Sequence, residues 1–349
     1  MKRILLLGVG GNVSQGILKA LRETKLDLYI VGACVSQYSS GLYLCDEALI
    51  SPYANAESFI PWVIGICNSK EIDMIMTGVE ENIIALSKSI DEIQKKTKAI
   101  FISSSYEQLK IGQNKLKTCQ WLKNNGCNYP RFSVLSDVEA SKKLAEEVGF
   151  PLIAKPNNGK SAFGIYFANS IEELNKILGL ENYVLEECLP EATGEYTVGC
   201  YCDRNGKLRD IIVMSRNLRK GTTVYSKVIH NYDIENEARK IVNKYKPVGP
   251  LNIQMRLNRK GQPVCFELNV RFSGSTAMRT NFGYKDVKAM VKEYLYNEPI
   301  DDCFNIIDGE CFRYDNEFYL FDDQVNKIFD NGECKNKLEN VLFDNNFMK

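Results

Sequence analysis

The chain has 349 residues, 44 of them lysine or arginine and 44 aspartate or glutamate, so bulk charge favours neither nucleic acid nor an anionic membrane as a partner. Its length predicts two or three domains, and 44% hydrophobic with 25% charged residues is an ordinary globular balance. No apolar run approaches the roughly 18 residues of a membrane span, and the glycines at 8–11 break the first apolar run too early for a signal peptide.

Twelve cysteines are scattered, mostly in apolar segments and with no C-x-x-C pair, and His230 is the single histidine. This pattern opposes a Cys/His zinc site and predicts reduced, buried thiols in a cytoplasmic protein. A Ser-His-Asp mechanism would have to run through His230 alone.

The first hundred residues alternate strand and helix. Residues 3–7, 28–33, 74–76 and 99–102 read as strands, and 59–67 and 83–93 have helical spacing. Such alternation predicts a parallel sheet with helices on both faces. Gly8 and Gly10 invite a dinucleotide reading, but Val13 stands where G-x-G-x-x-G needs its last glycine. The acidic residue due after the second strand is replaced by Ala33-Cys34-Val35-Ser36. The glycines therefore either let the backbone approach a substrate or make a tight turn.

Gln113-Asn114-Lys115 opens a helix that stops near Asn125-Gly126, and 137–148 predicts another. Residues 150–165, F-P-L-I-A-K-P-N-N-G-K-S-A-F-G-I, place Lys155 at the end of an apolar strand before a glycine-containing loop. Backbone N–H groups and a lysine charge suit a triphosphate; a hairpin with exposed lysines is the plainer reading. In Y-V-L-E-E-C-L, residues 183–189, the adjacent Glu186 and Glu187 would repel phosphates and suit the adenosine end of a nucleotide. Glu195 begins a long strand, G-E-Y-T-V-G-C-Y-C, that pairs with 211–215. Arg216, Arg219 and Lys220 then lead into a cationic, hydroxyl-rich loop. Residues 235–245 are helical.

Residues 251–257 form a strand carrying Asn252, Gln254 and Arg256 on one face. N-R-K-G links it to 263–271, P-V-C-F-E-L-N-V-R. Val264, Phe266 and Leu268 alternate there with Cys265, Glu267 and Asn269, so Glu267 and Asn269 share a face that Arg271 continues. A carboxylate beside an amide oxygen suits Mg²⁺, which keeps waters and substrate phosphates as its other ligands. A guanidinium just beyond could clamp a phosphoryl oxygen. By itself the stretch also fits a solvated edge strand, but a hairpin that gathers Asn252, Gln254, Glu267, Asn269 and Arg271 is hard to explain as surface decoration.

In this order, Gln113-Asn114-Lys115, A-K-P-N-N-G-K-S-A-F-G-I, L-E-E-C-L-P-E-A-T-G-E-Y-T-V and L-N-I-Q paired with F-E-L-N-V-R-F resemble the ATP-grasp superfamily. The branch they resemble is that of the carbamoyl phosphate synthase large subunit, over about residues 1–300. The resemblance implies an α/β and α+β chain. It would comprise a Rossmann-like pre-ATP-grasp domain over 1–104, an ATP-grasp small lobe over 105–185, a large lobe with the metal site over 186–305, and an extension over 306–349. It implies ATP with Lys115 and Lys155 on the phosphates, Glu186 and the backbone of Glu187 to Leu189 at adenine, and Glu195 at the ribose. Gln254, Glu267 and Asn269 would hold Mg²⁺, with Mn²⁺ an allowed substitute, and Arg271 would stabilise the phosphoryl group in transfer. The chain departs from the family pattern at Val270, where proline is usual, and at Gly199, where an acid is common.

The activity implied is a carboxylate–amine ligase working through an acyl phosphate, in a specialised small-molecule or surface-glycan pathway. Two other readings stay open: a unit phosphorylating bicarbonate or carbamate with a partner, and a non-catalytic ATP-binding regulator. Specificity is expected in the loops at 8–12, 77–81, 216–223 and 273–279. Residues 306–349 match no motif and read as a small cap or a homodimer contact.

Overall fold

The computed structural model describes residues 1–159, 164–320, 324–336 and 341–343. In chain order its strands begin with β1 (Lys2–Leu7), β2 (Leu28–Cys34), β3 (Glu47–Ile50), β4 (Met74–Thr77), β5 (Ile100–Phe101) and β6 (Phe132–Val134). They continue with β7 (Leu152–Pro156), β8 (Tyr166–Ala168), β9 (Tyr183–Glu187), β10 (Glu195–Cys202), β11 (Leu208–Arg219) and β12 (Thr222–Val228). The last are β13 (Gly249–Leu257), β14 (Pro263–Asn269), β15 (Glu310–Phe312), β16 (Phe318–Leu320), β17 (Glu333–Lys335) and β18 (Val341–Phe343). The chain divides into two compact units, one of Met1–Tyr106, Arg271–Ile306 and Arg313–Lys349, the other of Glu107–Val270 and Ile307–Phe312. No helix among the described residues is long and apolar enough to cross a membrane.

The first unit is built on a sheet of order β17-β3-β2-β1-β4-β5, parallel from β3 to β5, with β17 antiparallel at the edge. Ile4, Leu5, Leu6 and Leu7 are all buried. A strand covered on both faces is an unbroken apolar run, which is why β1 is legible in the sequence. The turn after it needs glycine, because Gly8 has φ +71 and a Cβ there would lie 2.3 Å from Val79 Cγ2. Ser14 ties the turn down: its hydroxyl donates to the Leu7 carbonyl at 2.8 Å and accepts from the Gly78 N–H at 2.9 Å.

Two expectations for this unit change. The helix expected over 83–93 is two, Glu80–Lys88 and Ile90–Lys96, separated at Ser89. Strand β3 was concealed by its charge: Glu47 is 2% exposed and survives burial by pairing with Lys70 at 2.6 Å.

The second unit holds two antiparallel sheets. The smaller, β6-β9-β7-β8, packs Leu152, Ala154 and Leu185 against Leu144 and Ala145 of the helix Val138–Val148. The larger has the order β14-β13-β10-β11-β12-β15, with the helix Tyr232–Tyr245 on β11. Helix starts follow side-chain capping. Asn114 accepts from the Lys117 N–H, Asp137 from Ala140, and Asn231 from Ile234.

The cationic loop expected over 216–223 is a hairpin. β11 runs through Arg219, β12 starts at Thr222, and Lys220-Gly221 turns with φ 50 and 74, the left-handed pair that a two-residue hairpin favours. Arg216 therefore stands on a strand.

Candidate active site

One face of the larger sheet carries the polar residues. Register sets Gln254 opposite Glu267, Asn252 opposite Asn269, Thr197 opposite Gln254, and Glu195 opposite Arg216. Residues directly opposite in an antiparallel pair share a face. The Asn269 amide donates to Glu267 Oε1 at 2.9 Å, so the expected carboxylate–amide pair is formed. Thr197 donates to Asn252 Oδ1 at 2.9 Å. Arg216 spans the face: its Nη2 donates to Glu195 Oε1 at 2.6 Å and to Gln254 Oε1 at 2.7 Å, and its Nε reaches the same Glu195 oxygen at 3.0 Å. Arg256 takes the other Glu195 oxygen through Nη2 at 2.8 Å. Burial pushes the Glu195 carboxyl up, but the two guanidiniums outweigh it and hold the group below the ordinary glutamate range.

Strict alternation along β14 fails at one place. The register shifts between Gln254 and Met255, which face Glu267 and Cys265 respectively, leaving Phe266 as the extra residue of a bulge. Bulges re-aim side chains. Here Cys265 is fully buried, while Phe266 and Glu267 are both half-buried although adjacent. The Phe266 ring lies 5.5 Å from Lys155 Nζ and 6.0 Å from the Arg256 guanidinium. Period-two reading gave no signal for this residue.

Lys155 lies near the end of β7 and Glu186 on β9, adjacent strands in the smaller sheet. Their ion pair is 2.6 Å long with side chains 13% and 1% exposed. Burial pulls the Lys155 ammonium down, and Glu186 more than offsets it, so its pKa lies above the ordinary lysine value. Lys115 Nζ donates to the Gly159 carbonyl at 3.0 Å, and its N–H to Asn157 O at 2.9 Å, which brings the helix start to the glycine-containing loop. The middle of that loop, residues 160–163, lies outside the described residues. The Glu187 and Cys188 N–H groups are used by the carbonyls of Arg131 and Pro151, and the Leu189 carbonyl receives Arg256 Nη1 at 3.5 Å. Arg271 belongs to the first unit, past the end of β14, and its Nη1 donates to the Phe272 carbonyl at 2.8 Å.

These residues fit a magnesium nucleotide better than a resident metal ion. Among the described residues no three His, Cys, Asp or Glu converge on one point. One carboxylate with neighbouring amides suits Mg²⁺ only when phosphates and waters complete the shell. Asn252 is 1% exposed, and its amide nitrogen has no hydrogen-bond partner among the described residues. An unmet buried donor costs about 1–3 kcal/mol, which an added acceptor would relieve.

Comparison with known proteins finds two family matches. Residues 4–101 match the family described as PylC-like, N-terminal domain, and residues 180–306 the family described as ATP-grasp in the biosynthetic pathway with Ter operon. The carbamoyl-phosphate synthase of Methanobrevibacter smithii is 21% identical over 171 residues, 49% of this chain and 45% of that protein. Biotin carboxylase 1 of Bacillus subtilis is 24% identical over 179 residues, 50% of this chain and 39% of that protein. The chain spans less than half the length of the curated relatives it matches. In fold it is similar to N5-carboxyaminoimidazole synthetase from Staphylococcus aureus complexed with ADP. The TM-score is 0.67 at 16% identity, covering 95% of this chain and 85% of that one. The parallel strands β1 to β5 thus fall in the stretch that resembles PylC-like N-terminal domains, and β10 to β14 in the stretch that resembles ATP-grasp.

Proposed function

We propose that this chain, an ATP-grasp protein with a PylC-like N-terminal domain, is an ATP- and Mg²⁺-dependent ligase that joins a small-molecule carboxylate to an amine. The observation that carries this reading is the Glu267–Asn269 pair, set at 2.9 Å on the polar sheet face opposite Gln254 and Asn252. Bound MgATP supplies the phosphoryl group that activates a carboxylate as an acyl phosphate for attack by the amine. The residues that would hold it are Lys115 and Lys155 at the phosphates, Glu186 and the segment from Glu187 to Leu189 at the base, and Gln254, Glu267 and Asn269 at the metal. Arg271 is assigned to the phosphoryl group in transfer, where a planar fork of donors matches three spreading oxygens. No protein nucleophile is needed, since phosphoryl transfer rests on alignment and charge neutralisation. The description of the matched ATP-grasp family supports a biosynthetic setting for such a reaction.

An ADP-release screen over pairs of acids and amines tests the activity, and Glu267→Gln tests the site. The variant keeps shape but loses the charge that retains the metal. Turnover should drop about a hundred-fold or more, in line with loss of one transition-state contact, with partial rescue by raised Mg²⁺ or by Mn²⁺. Mg²⁺ without nucleotide should show no tight site, because a single carboxylate retains it poorly. Normal turnover by folded Glu267→Gln at limiting Mg²⁺ would remove the metal assignment.

A further inference from the structure

We propose that Arg216 contacts the terminal phosphate of the bound nucleotide, and that Glu195 is the positioning carboxylate that aims it. The proposal rests on the ATP-site reading above and deepens it. A carboxylate offers about four acceptor positions. Glu195 receives four N–H groups, Nε and Nη2 of Arg216 at 3.0 and 2.6 Å and Nε and Nη2 of Arg256 at 3.3 and 2.8 Å. Both oxygens are engaged and the side chain is 12% exposed, so Glu195 holds the two guanidiniums in place.

Arg216 is differently placed. Its side chain is only 10% exposed, and its Nε and Nη2 are engaged, but Nη1 has no partner among the described residues. A buried guanidinium with one unused donor edge is a built anion contact. The neighbouring group names the anion. Arg216 Nη2 lies 2.7 Å from Gln254 Oε1, and Gln254 stands opposite Glu267 in the strand pair. A divalent ion held by Gln254 and Glu267 would therefore sit beside a guanidinium. Two cations so close repel strongly in a partly buried site unless an anion lies between them. A terminal phosphate satisfies both, giving one oxygen to the metal and another to the arginine. Arg256 is directed elsewhere: its Nη1 points to the Leu189 carbonyl, on the segment assigned to the base.

The experiment is nucleotide binding by titration calorimetry, MgATP against MgADP, on the full chain and on Arg216→Met, Arg216→Lys, Glu195→Gln and Arg256→Met. Arg216→Met should weaken MgATP by roughly ten- to a hundred-fold, the usual effect of losing a charged hydrogen bond, with a much smaller change for MgADP. Glu195→Gln should shift the ATP-to-ADP ratio in the same direction, because the arginine loses its anchor. Arg256→Met should weaken both nucleotides alike. An unchanged ATP-to-ADP ratio in folded Arg216→Met would overturn the proposal while leaving the ATP site standing. Should that variant not fold, Arg216→Lys, which keeps the charge without the fork, carries the same comparison. If the unaltered chain binds neither nucleotide, the ATP-site reading falls first and this proposal with it.

Discussion

Lys155 and Glu186 illustrate how one residue's role depends on another's. The lysine is assigned to phosphate, yet it also neutralises a carboxylate that is 1% exposed. Truncating Lys155 alone would strand that charge, and breaking a buried pair costs about 3–5 kcal/mol. Lys155→Met should therefore lower both nucleotide affinity and folding stability. Lys155→Met combined with Glu186→Gln should regain most of the stability and little of the affinity. Urea denaturation and MgATP titration on the two variants separate the effects. Equal nucleotide affinity for the double variant and the unaltered chain would mean that the pair is structural only.

Among the elements, the helices Thr276–Asn281 and Asp286–Val291 of the first unit are joined by an ion pair with no exposed surface. Arg279 Nη2 lies 2.7 Å from Asp286 Oδ2, within ion-pair distance but off-line for a hydrogen bond. Nε and Nη1 of Arg279 have no hydrogen-bond partner among the described residues. Burial raises the Asp286 pKa, with Arg279 opposing. A folded value above the ordinary aspartate range means that this group favours folding most at pH below that range. The contribution is lost as pH rises through the raised value. Arg279→Met should lose about 3–5 kcal/mol at neutral pH, because it leaves a carboxylate buried and unpaired, whereas Arg279→Met with Asp286→Leu should be near neutral. Denaturant midpoints at pH 5 and 8 check both statements. A mild Arg279→Met would show that the pair adds nothing to the helix contact.

For the molecule as a whole, the twelve cysteines are thiols outside any disulfide, and nine of them are buried. Burial pushes Cys45, Cys67 and Cys202 up to about 12, and Cys119 and Cys265 well above the ordinary thiol value. The thiolate is the reactive form, so at pH 7.5 a thiol reagent should modify the half-buried Cys188, Cys311 and Cys334 first. All twelve should react after denaturation. Fast modification of the buried set in the native protein would show that the cores holding these thiols open readily. The pairing of Glu195 with two arginines adds a pH dependence of the opposite sign to that of Asp286. Its stabilisation is present above the ordinary glutamate range and fades as pH falls through the lowered folded value.

What could be read from the chain alone was whatever local periodicity and turn chemistry encode. The apolar runs of β1, β2 and β4, the caps at Asn114 and Asp137, and the shared face of Glu267 and Asn269 are properties of short windows, and each formed where those windows place it. The residue types suited to a magnesium nucleotide were legible for the same reason. Partner choice was not. Lys155 meets Glu186 across 31 positions, Lys70 meets Glu47 to bury an acidic strand, and Arg216 joins Glu195 to Gln254 across three strands. The Phe266 bulge and the break at Ser89 likewise have no local mark that distinguishes them from a regular strand or helix. A side chain's type limits what it can bond to, but register and packing, set by contacts distant in sequence, decide which of many equivalent groups it reaches.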